Sequence, residues 1–146
     1  MAEVTINRYL DAAPERVFEY ITKTERLLKW WGPEGLHVPE HEMDFSQTGA
    51  WYSVMQSAEG NRFKVSGDVL AVDPPRSVSL TWAWHDEADQ RGHESHVVME
   101  VAASGAGAEL TIRHTGLEDE ESAASHQGGW NSTLNKLERM AAEQGD

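Results

Sequence analysis

The sequence predicts an α+β protein in which a seven-stranded antiparallel sheet curves around a long C-terminal helix. Two observations predict this class. Residues 36–114 alternate apolar and polar side chains over six consecutive segments, whereas residues 126–141 repeat their apolar side chains every three to four positions. One strand and two short helices precede the six segments. With 146 residues the chain can bury a core of its own, and we expect residues 1–146 to form one domain.

The N-terminal region predicts one strand followed by two short helices. Residues 4–10, VTINRYL, alternate as in a half-buried strand. Pro14 is typical of a first helical turn, because the N–H that proline lacks would be unpaired there anyway. The segment 24–31 predicts a second helix, with Thr24 as its N-cap and the Gly-Pro pair ending at Pro33 as its stop.

Six further strands are predicted between residues 36 and 114, separated by turn-forming clusters. Their sequences are LHVPEHEMDF, AWYSVMQ, NRFKVSGDVLAVD, RSVSLTWAWH, ESHVVMEVAA and GAELTIRH. The alternation predicts a sheet with one covered face and one wet face. Leu80, Trp82 and Trp84 fall on the covered face of one strand, and Ile112 and His114 on the covered face of another.

The final helix is predicted over residues 119–144, with acidic side chains at its start and basic ones near its end. At about 1.5 Å per residue, some 24 residues span ~36 Å, which exceeds the ~26 Å of an eight-residue strand. The helix can therefore cross the whole sheet. We expect Gly128 and Gly129 to let its backbone approach the sheet, so that Trp130 reaches into the space between the layers.

Composition limits the partners of the chain. The 12 Lys and Arg residues against 25 Asp and Glu residues give a net charge of −13, which repels phosphate backbones, so we expect no nucleic-acid partner. The absence of cysteine excludes disulfides and cysteine nucleophiles. The sequence shows neither a signal-peptide pattern nor an apolar run near the ~20 residues of a membrane span. We therefore expect a cytoplasmic protein without a membrane span.

Motifs for metal or cofactor chemistry are weak. His37 and His41 lie four residues apart, and His93 and His96 three apart, but neither an HExxH helix nor a cysteine pair accompanies them. The sequence contains no G-x-S-x-G elbow and no phosphate-binding glycine loop, and it reveals no nucleophilic triad. We expect neither a metal nor a cofactor.

Strand parity and helix periodicity select eight residues as the candidate wall of an apolar cavity between sheet and helix. They are Trp51, Met55, Trp82, Trp84, Met99, His114, Trp130 and Leu134. Tryptophan and methionine suit an apolar ligand, but they equally suit a filled core. Trp130 is accordingly either a core residue or a ligand contact. His114 either orients or protonates a ligand, or it is a core histidine bonded to a backbone carbonyl or to a helix side chain such as Asn131.

The order of several segments resembles a known family. These segments are KWWGPEG at 29–35, TGAWYSVM at 48–55, the run from Gly67 to Pro75, SLTWAW at 79–84, AELTIRHTGL at 108–117, and the following HQGGWNSTLNKL. Together they resemble the START-like (SRPBCC) superfamily with its helix-grip fold. Within it they are most similar to bacterial single-domain proteins that correspond to the C-terminal domain of the Hsp90 ATPase activator.

The resemblance implies a cavity between sheet and helix that in many members accepts an apolar or amphipathic molecule. It does not imply one reaction, because relatives include lipid carriers, hormone receptors, aromatase/cyclases and a co-chaperone. The leading expectation is therefore a binding protein for a hydrophobic or amphipathic small molecule rather than an enzyme. Two alternatives remain open. One is a stress-response co-chaperone with a partner of the Hsp90 type, and the other is a cyclase- or dehydratase-type enzyme that uses His114.

Overall fold

The structure, a computed structural model, describes residues 2–144 and contains seven strands and three helices in this range. The strands are β1 (Ala2–Leu10), β2 (Leu36–Glu42), β3 (Gly49–Ser57), β4 (Arg62–Asp73), β5 (Ser77–Trp84), β6 (Ser95–Ser104) and β7 (Gly107–Leu117). The helices are α1 (Pro14–Thr22), α2 (Thr24–Leu27) and α3 (Glu120–Gln144). This order confirms the predicted α+β helix-grip class.

All seven strands belong to one antiparallel sheet with the order β1-β7-β6-β5-β4-β3-β2. The first strand pairs with the last, so that Ile6 lies opposite Ile112. In the centre of the sheet, Leu80 of β5 lies opposite Val97 of β6. Directly opposed residues share a face of the sheet, and all four of these side chains are buried. They form part of the inner face, which confirms the predicted strand parity.

The outer face is not uniformly wet, which corrects the expectation of one exposed face. On β5, Thr81 and Ala83 are buried although they alternate with inner-face residues. The Thr81 hydroxyl accepts a hydrogen bond from the backbone N–H of Asp68 at 2.8 Å. Gly67 allows this close approach of β4 and β5, because an added Cβ would overlap the carbonyl oxygen of Thr81.

The connection between α1 and β2 differs from the prediction. The α2 helix is a single turn, Thr24–Leu27, and Lys23 occupies its N-cap position. Thr24 instead donates its hydroxyl hydrogen to the backbone carbonyl of Met43, which ties α2 to the segment after β2. A side chain that finds a tertiary acceptor no longer needs to cap its own helix.

The long helix α3 packs against the inner face of the sheet. Leu134, Leu137 and Ala141 are fully buried at the spacing of one helical stripe. At Gly128, an added Cβ would meet none of the described residues within 4 Å, and at Gly129 it would meet only Pro33, at 4.0 Å. The expectation that these glycines serve a close approach to the sheet is therefore wrong.

Polar contacts hold the second half of α3 from two sides. On one side, Arg8 of β1 donates hydrogen bonds to the Oδ1 atoms of Asn131 at 3.1 Å and Asn135 at 3.0 Å. On the other side, Arg139 pairs with the carboxylate of Glu34 at 2.8 Å. Hydrogen bonds from Arg139 and then Asn135 lower the pKa of Glu34. This pair is solvent-exposed, so it serves alignment more than stability.

Candidate ligand-binding cavity

A cluster of tryptophans lies between the sheet and the first half of α3. Its centre is Trp82 on β5, whose ring centroid lies 5.3–5.9 Å from those of four other tryptophans. These are Trp31, Trp51, Trp84 and Trp130. The rings meet edge-on or tilted, which are favourable arrangements because the ring edge is positive and the ring face negative.

The two tryptophans that follow α2 have different surroundings. Trp30 is fully buried and donates its indole N–H to the backbone carbonyl of Tyr20 at 2.8 Å. Trp31 donates its indole N–H to the hydroxyl of Ser53 on β3 at 3.0 Å, which turns its ring toward Trp82. Only Trp31 of this pair borders the cavity described next.

A cavity of about 380 Å³ opens beside this cluster. It lies between the first half of α3, the segment 31–36, the ends of β3 and β5 and the start of β4. Its wall is formed by Trp31, Gly32, Pro33, Leu36, Met55, Phe63, Trp82, Trp84, Ser125, His126, Gly129, Trp130 and Thr133. Most of the wall is therefore apolar, and the polar side chains all come from α3.

Half of the eight residues selected from the sequence border this cavity. They are Met55, Trp82, Trp84 and Trp130. The other four, Trp51, Met99, His114 and Leu134, lie behind the wall with at most 3% of their surface exposed. Trp130 is buried, with 5% of its surface exposed, and it also borders the cavity.

His114 on β7 belongs to a buried chain of hydrogen bonds. The indole N–H of Trp130 donates to Nδ1 of His114 at 3.0 Å, so the ring proton of the neutral imidazole is on Nε2. Nε2 lies 2.7 Å from the hydroxyl oxygen of Ser95 and donates to it. Ser95 in turn donates to the backbone carbonyl of Trp82 at 3.3 Å. Each donor and acceptor in this series of hydrogen bonds therefore has a partner.

This environment keeps His114 neutral. Burial above all, and then the nearby His126 and His96, lower the pKa of His114 to about 3. The expected core histidine is therefore present, but its partners are Ser95 and Trp130. Asn131, proposed from the sequence, instead accepts a hydrogen bond from Arg8.

His126 is the cavity histidine that the sequence reasoning missed. It lies on α3, and its Nε2 accepts the indole N–H of Trp84 at 2.9 Å. Its Nδ1 donates to the backbone carbonyl of Ser122 at 2.8 Å. The ring centroid is 4.6 Å from that of His114. Its position four residues before Trp130 places both side chains on one face of the helix, and this spacing is the signal that identifies it.

Metal binding has no support among the described residues. Within residues 2–144, the structure places no three His, Cys, Asp or Glu side chains together as a metal site. His93 instead bonds to the backbone carbonyl of Gly116 at 2.7 Å. In the same range, no helix is both long and apolar enough to cross a membrane.

Comparison with solved structures places the chain among known folds. The AHSA1 protein from Silicibacter pomeroyi is 46% identical, with a TM-score of 0.95 over 98% of this chain and 99% of that chain. A protein from Chromobacterium violaceum is 22% identical, with a TM-score of 0.82 over 97% and 98%. Another from Rhodobacter sphaeroides is 19% identical, with a TM-score of 0.80 over 97% and 93%. The last two likenesses show the fold alone.

Comparison with family models and with curated proteins shows the family of the chain. No curated protein matches the chain at a significant level. The family model described as "Activator of Hsp90 ATPase homolog 1-like protein" matches residues 11–142, which include every strand after β1 and most of α3. With this match and the 46% identity to the Silicibacter protein, the chain belongs to the AHSA1 family.

Proposed function

We propose that this protein binds a hydrophobic or amphipathic small molecule in the cavity beside Trp82. The observation that carries the proposal is the cavity itself, about 380 Å³ in volume and walled mainly by aromatic and aliphatic side chains. Small-molecule sites commonly measure ~300–1,000 Å³ and have this kind of lining. Met55 in the wall can adapt to ligands of different shape, because its side chain is unbranched and flexible.

The distribution of polar groups favours a ligand with one polar end. The sheet and the segment 31–36 present apolar side chains, while Ser125 and Thr133 of α3 place hydroxyl groups in the wall. His126 also borders the cavity, but its two ring nitrogens are already bonded to Trp84 and Ser122. The indole N–H of Trp82 is buried without a hydrogen-bond partner among the described residues, so a ligand oxygen that reached it would pair a costly free donor. The net charge of −13 disfavours anionic ligands.

Fluorescence of the neutral probe N-phenyl-1-naphthylamine tests the proposal. We expect saturable enhancement with the wild-type protein. Gly129→Leu should weaken probe binding at least tenfold, because Gly129 borders the cavity and the new side chain points into its mouth. Gly128→Leu is the matched control, because the space around that position is open and it does not border the cavity. Absence of saturable binding to the wild type, or equal binding to both variants, would contradict the proposal.

Family membership favours a second candidate, an interaction with a chaperone of the Hsp90 type. The matching family model carries the name of the Hsp90 ATPase activator. If this candidate holds, the protein should bind a purified bacterial Hsp90 in a pull-down and raise its rate of ATP hydrolysis. An unchanged hydrolysis rate together with no retained chaperone would exclude it. Probe binding in the cavity is measured separately and does not depend on this result.

The enzymatic alternative through His114 receives no support from the geometry. Its two ring nitrogens are occupied by Trp130 and Ser95, and its side chain is fully buried behind the cavity wall. A general base must reach the proton it removes. We therefore propose that His114 supports the wall of the cavity rather than acting on a ligand.

A further inference from the structure

A serine, a histidine and an aspartate meet on the outer face of the sheet, opposite the cavity. Ser66 of β4 lies opposite Ala83 of β5, on the side of the sheet away from Trp82 and Trp84. The Ser66 hydroxyl oxygen is 2.6 Å from Nε2 of His85. Nδ1 of His85 is 2.8 Å from Oδ1 of Asp89. These contacts join Ser66 of β4 to two residues, His85 and Asp89, of the segment that follows β5.

The aspartate determines which ring nitrogen of His85 carries the proton. An ionised carboxylate only accepts hydrogen bonds, so Nδ1 of His85 donates to Asp89 and Nε2 is left as the acceptor. Ser66 must then donate its hydroxyl proton to Nε2. This is the arrangement in which a histidine can remove a proton from a serine, and it is recognised by geometry rather than by residue order.

A buried serine–histidine pair has the opposite polarity. Ser95 and His114 are 2.7 Å apart, but the indole N–H of Trp130 occupies Nδ1 of His114, so Nε2 donates to the serine. His114 therefore cannot accept the Ser95 proton. The two pairs differ in the group bonded to Nδ1 of the histidine, which is the Asp89 carboxylate for His85 and the Trp130 indole for His114. Only the carboxylate leaves Nε2 free to accept the serine proton.

Two cationic side chains lie near the outer-face serine, and one of them, Arg91, also pairs with the carboxylate of Glu94 at 3.2 Å. Arg91 donates its Nε hydrogen to the Ser66 hydroxyl oxygen at 3.0 Å, which favours negative charge on that oxygen. Lys64 lies 3.1 Å from Asp89. The hydrogen bond from Lys64, followed by that from His85, lowers the pKa of Asp89 and keeps it ionised. The charges of the site thus favour both the serine oxyanion and the orienting carboxylate.

The site is partly exposed, although the His85 side chain itself is only 10% exposed. Ser66 is half-buried rather than enclosed, and the side chains of Asp89 and Arg91 are 65% and 39% exposed. Asp89 adopts a positive φ of 62°, a conformation that aspartate and asparagine tolerate better than most residues. The turn therefore holds the carboxylate beside His85 without covering Ser66.

We propose that Ser66 is a nucleophile that accepts acyl groups from activated carboxylic esters, with His85 as its general base and Asp89 as a positioning residue. The side chains of Asp89 and Arg91 beside Ser66 are 65% and 39% exposed, so we expect little selectivity among acyl groups. This activity is independent of the cavity on the other face.

The proposed reaction is the hydrolysis of an ester, and it needs only the ester and water as reactants. The Ser66 oxygen attacks the ester carbonyl carbon while its proton passes to Nε2 of His85. The carbon–oxygen bond to the leaving group then breaks, and the departing alkoxide or phenoxide takes the proton from His85. Water attacks the acyl-serine in the same manner, which releases the carboxylic acid and restores the serine.

Acylation by p-nitrophenyl acetate tests the proposal. With wild-type protein we expect a burst of about one nitrophenolate per chain, as an acyl-serine accumulates. The acetyl group should appear on the tryptic peptide 65–76, VSGDVLAVDPPR, in which Ser66 is the one serine. Ser66→Ala should abolish both signals. His85→Ala should slow the burst about 100-fold, in the range expected for loss of a general base.

Matched variants separate activation from structure. Ser79→Ala removes an outer-face serine outside this network and should leave the burst unchanged. Asp89→Asn keeps the turn but removes the carboxylate; it should slow the burst, and Asp89→Glu should restore it in part. Labelling of peptide 65–76 by phenylmethylsulfonyl fluoride gives an independent readout. An acetyl group found elsewhere, a burst that survives in Ser66→Ala, or no burst from folded wild-type protein would overturn the proposal.

Discussion

Replacing Trp130 with alanine should lower the free energy of unfolding by about 3–5 kcal/mol, the usual cost of truncating a buried tryptophan. Trp130 is 5% exposed, and its ring packs against Trp82 at 5.3 Å and Trp31 at 6.2 Å between centroids. The substitution also removes the donor to Nδ1 of His114, which leaves a buried acceptor unpaired. Urea titration at constant pH measures the change.

Trp130→Phe separates packing from hydrogen bonding. Phenylalanine keeps most of the ring contacts but has no N–H, so we expect a smaller loss of about 1–3 kcal/mol, the cost of an unpaired buried polar group. If the alanine variant unfolds at the same urea concentration as the wild type, the placement of Trp130 between helix and sheet is contradicted. Equal losses in both variants would assign the whole effect to the hydrogen bond.

Acidification should destabilise the protein through His114. The pKa of this histidine is about 3 in the folded state, against 6.5 for a histidine exposed to solvent, as in the unfolded chain. Between these values the unfolded chain binds more protons than the folded one, so stability falls as the pH falls below 6.5. At 1.36 kcal/mol per pKa unit, the loss between pH 7.5 and pH 5 is about 2 kcal/mol.

A His114→Gln variant isolates this contribution. Glutamine is less well accommodated but does not titrate, so the variant should be less stable at pH 7.5 and should lose less stability on acidification. The difference between the two pH profiles measures His114, because the other titratable groups remain in both proteins. Parallel profiles would contradict the neutral, buried state of this ring. Nitrogen-15 NMR of the imidazole should independently show a single neutral tautomer, protonated at Nε2, down to pH 5.

Periodicity was sufficient to predict the layers of the fold. Leu80, Trp82 and Ile112 lie on the inner face as strand alternation requires, because successive strand residues point to opposite sides. The stripe through Leu134 and Leu137 faces the sheet for the corresponding helical reason. These features depend on local geometry, which a sequence expresses directly.

The division between cavity wall and core could not be predicted in this way. Parity places Met99 and Met55 on the same inner face, yet only Met55 borders the cavity. The difference arises at Gly32 and Pro33, which line the cavity from an irregular segment that has no period, just before β2 begins at Leu36. Where such a segment lies depends on tertiary contacts, including the hydrogen bond from the backbone N–H of Glu34 to Ser132 on α3.

The meeting of Ser66, His85 and Asp89 on the outer face could likewise not be predicted from the sequence. Ser66 and His85 are 19 residues apart, and their meeting depends on the pairing of β4 with β5. The G-x-S-x-G pattern describes a serine at a turn between a strand and a helix. Ser66 is instead a mid-strand residue, where alternation predicts only that its side chain faces outward.

The tryptophan cluster gives the protein a reporter of its own. All six indoles are linked by centroid distances of about 6 Å or less, from Trp30 through Trp31 and Trp82 to Trp51, Trp84 and Trp130. Excitation energy migrates readily between rings this close, so light absorbed by any of them reaches those at the cavity wall. Native ultraviolet emission should therefore change whenever the cavity is filled, and occupancy can be followed without attaching a dye.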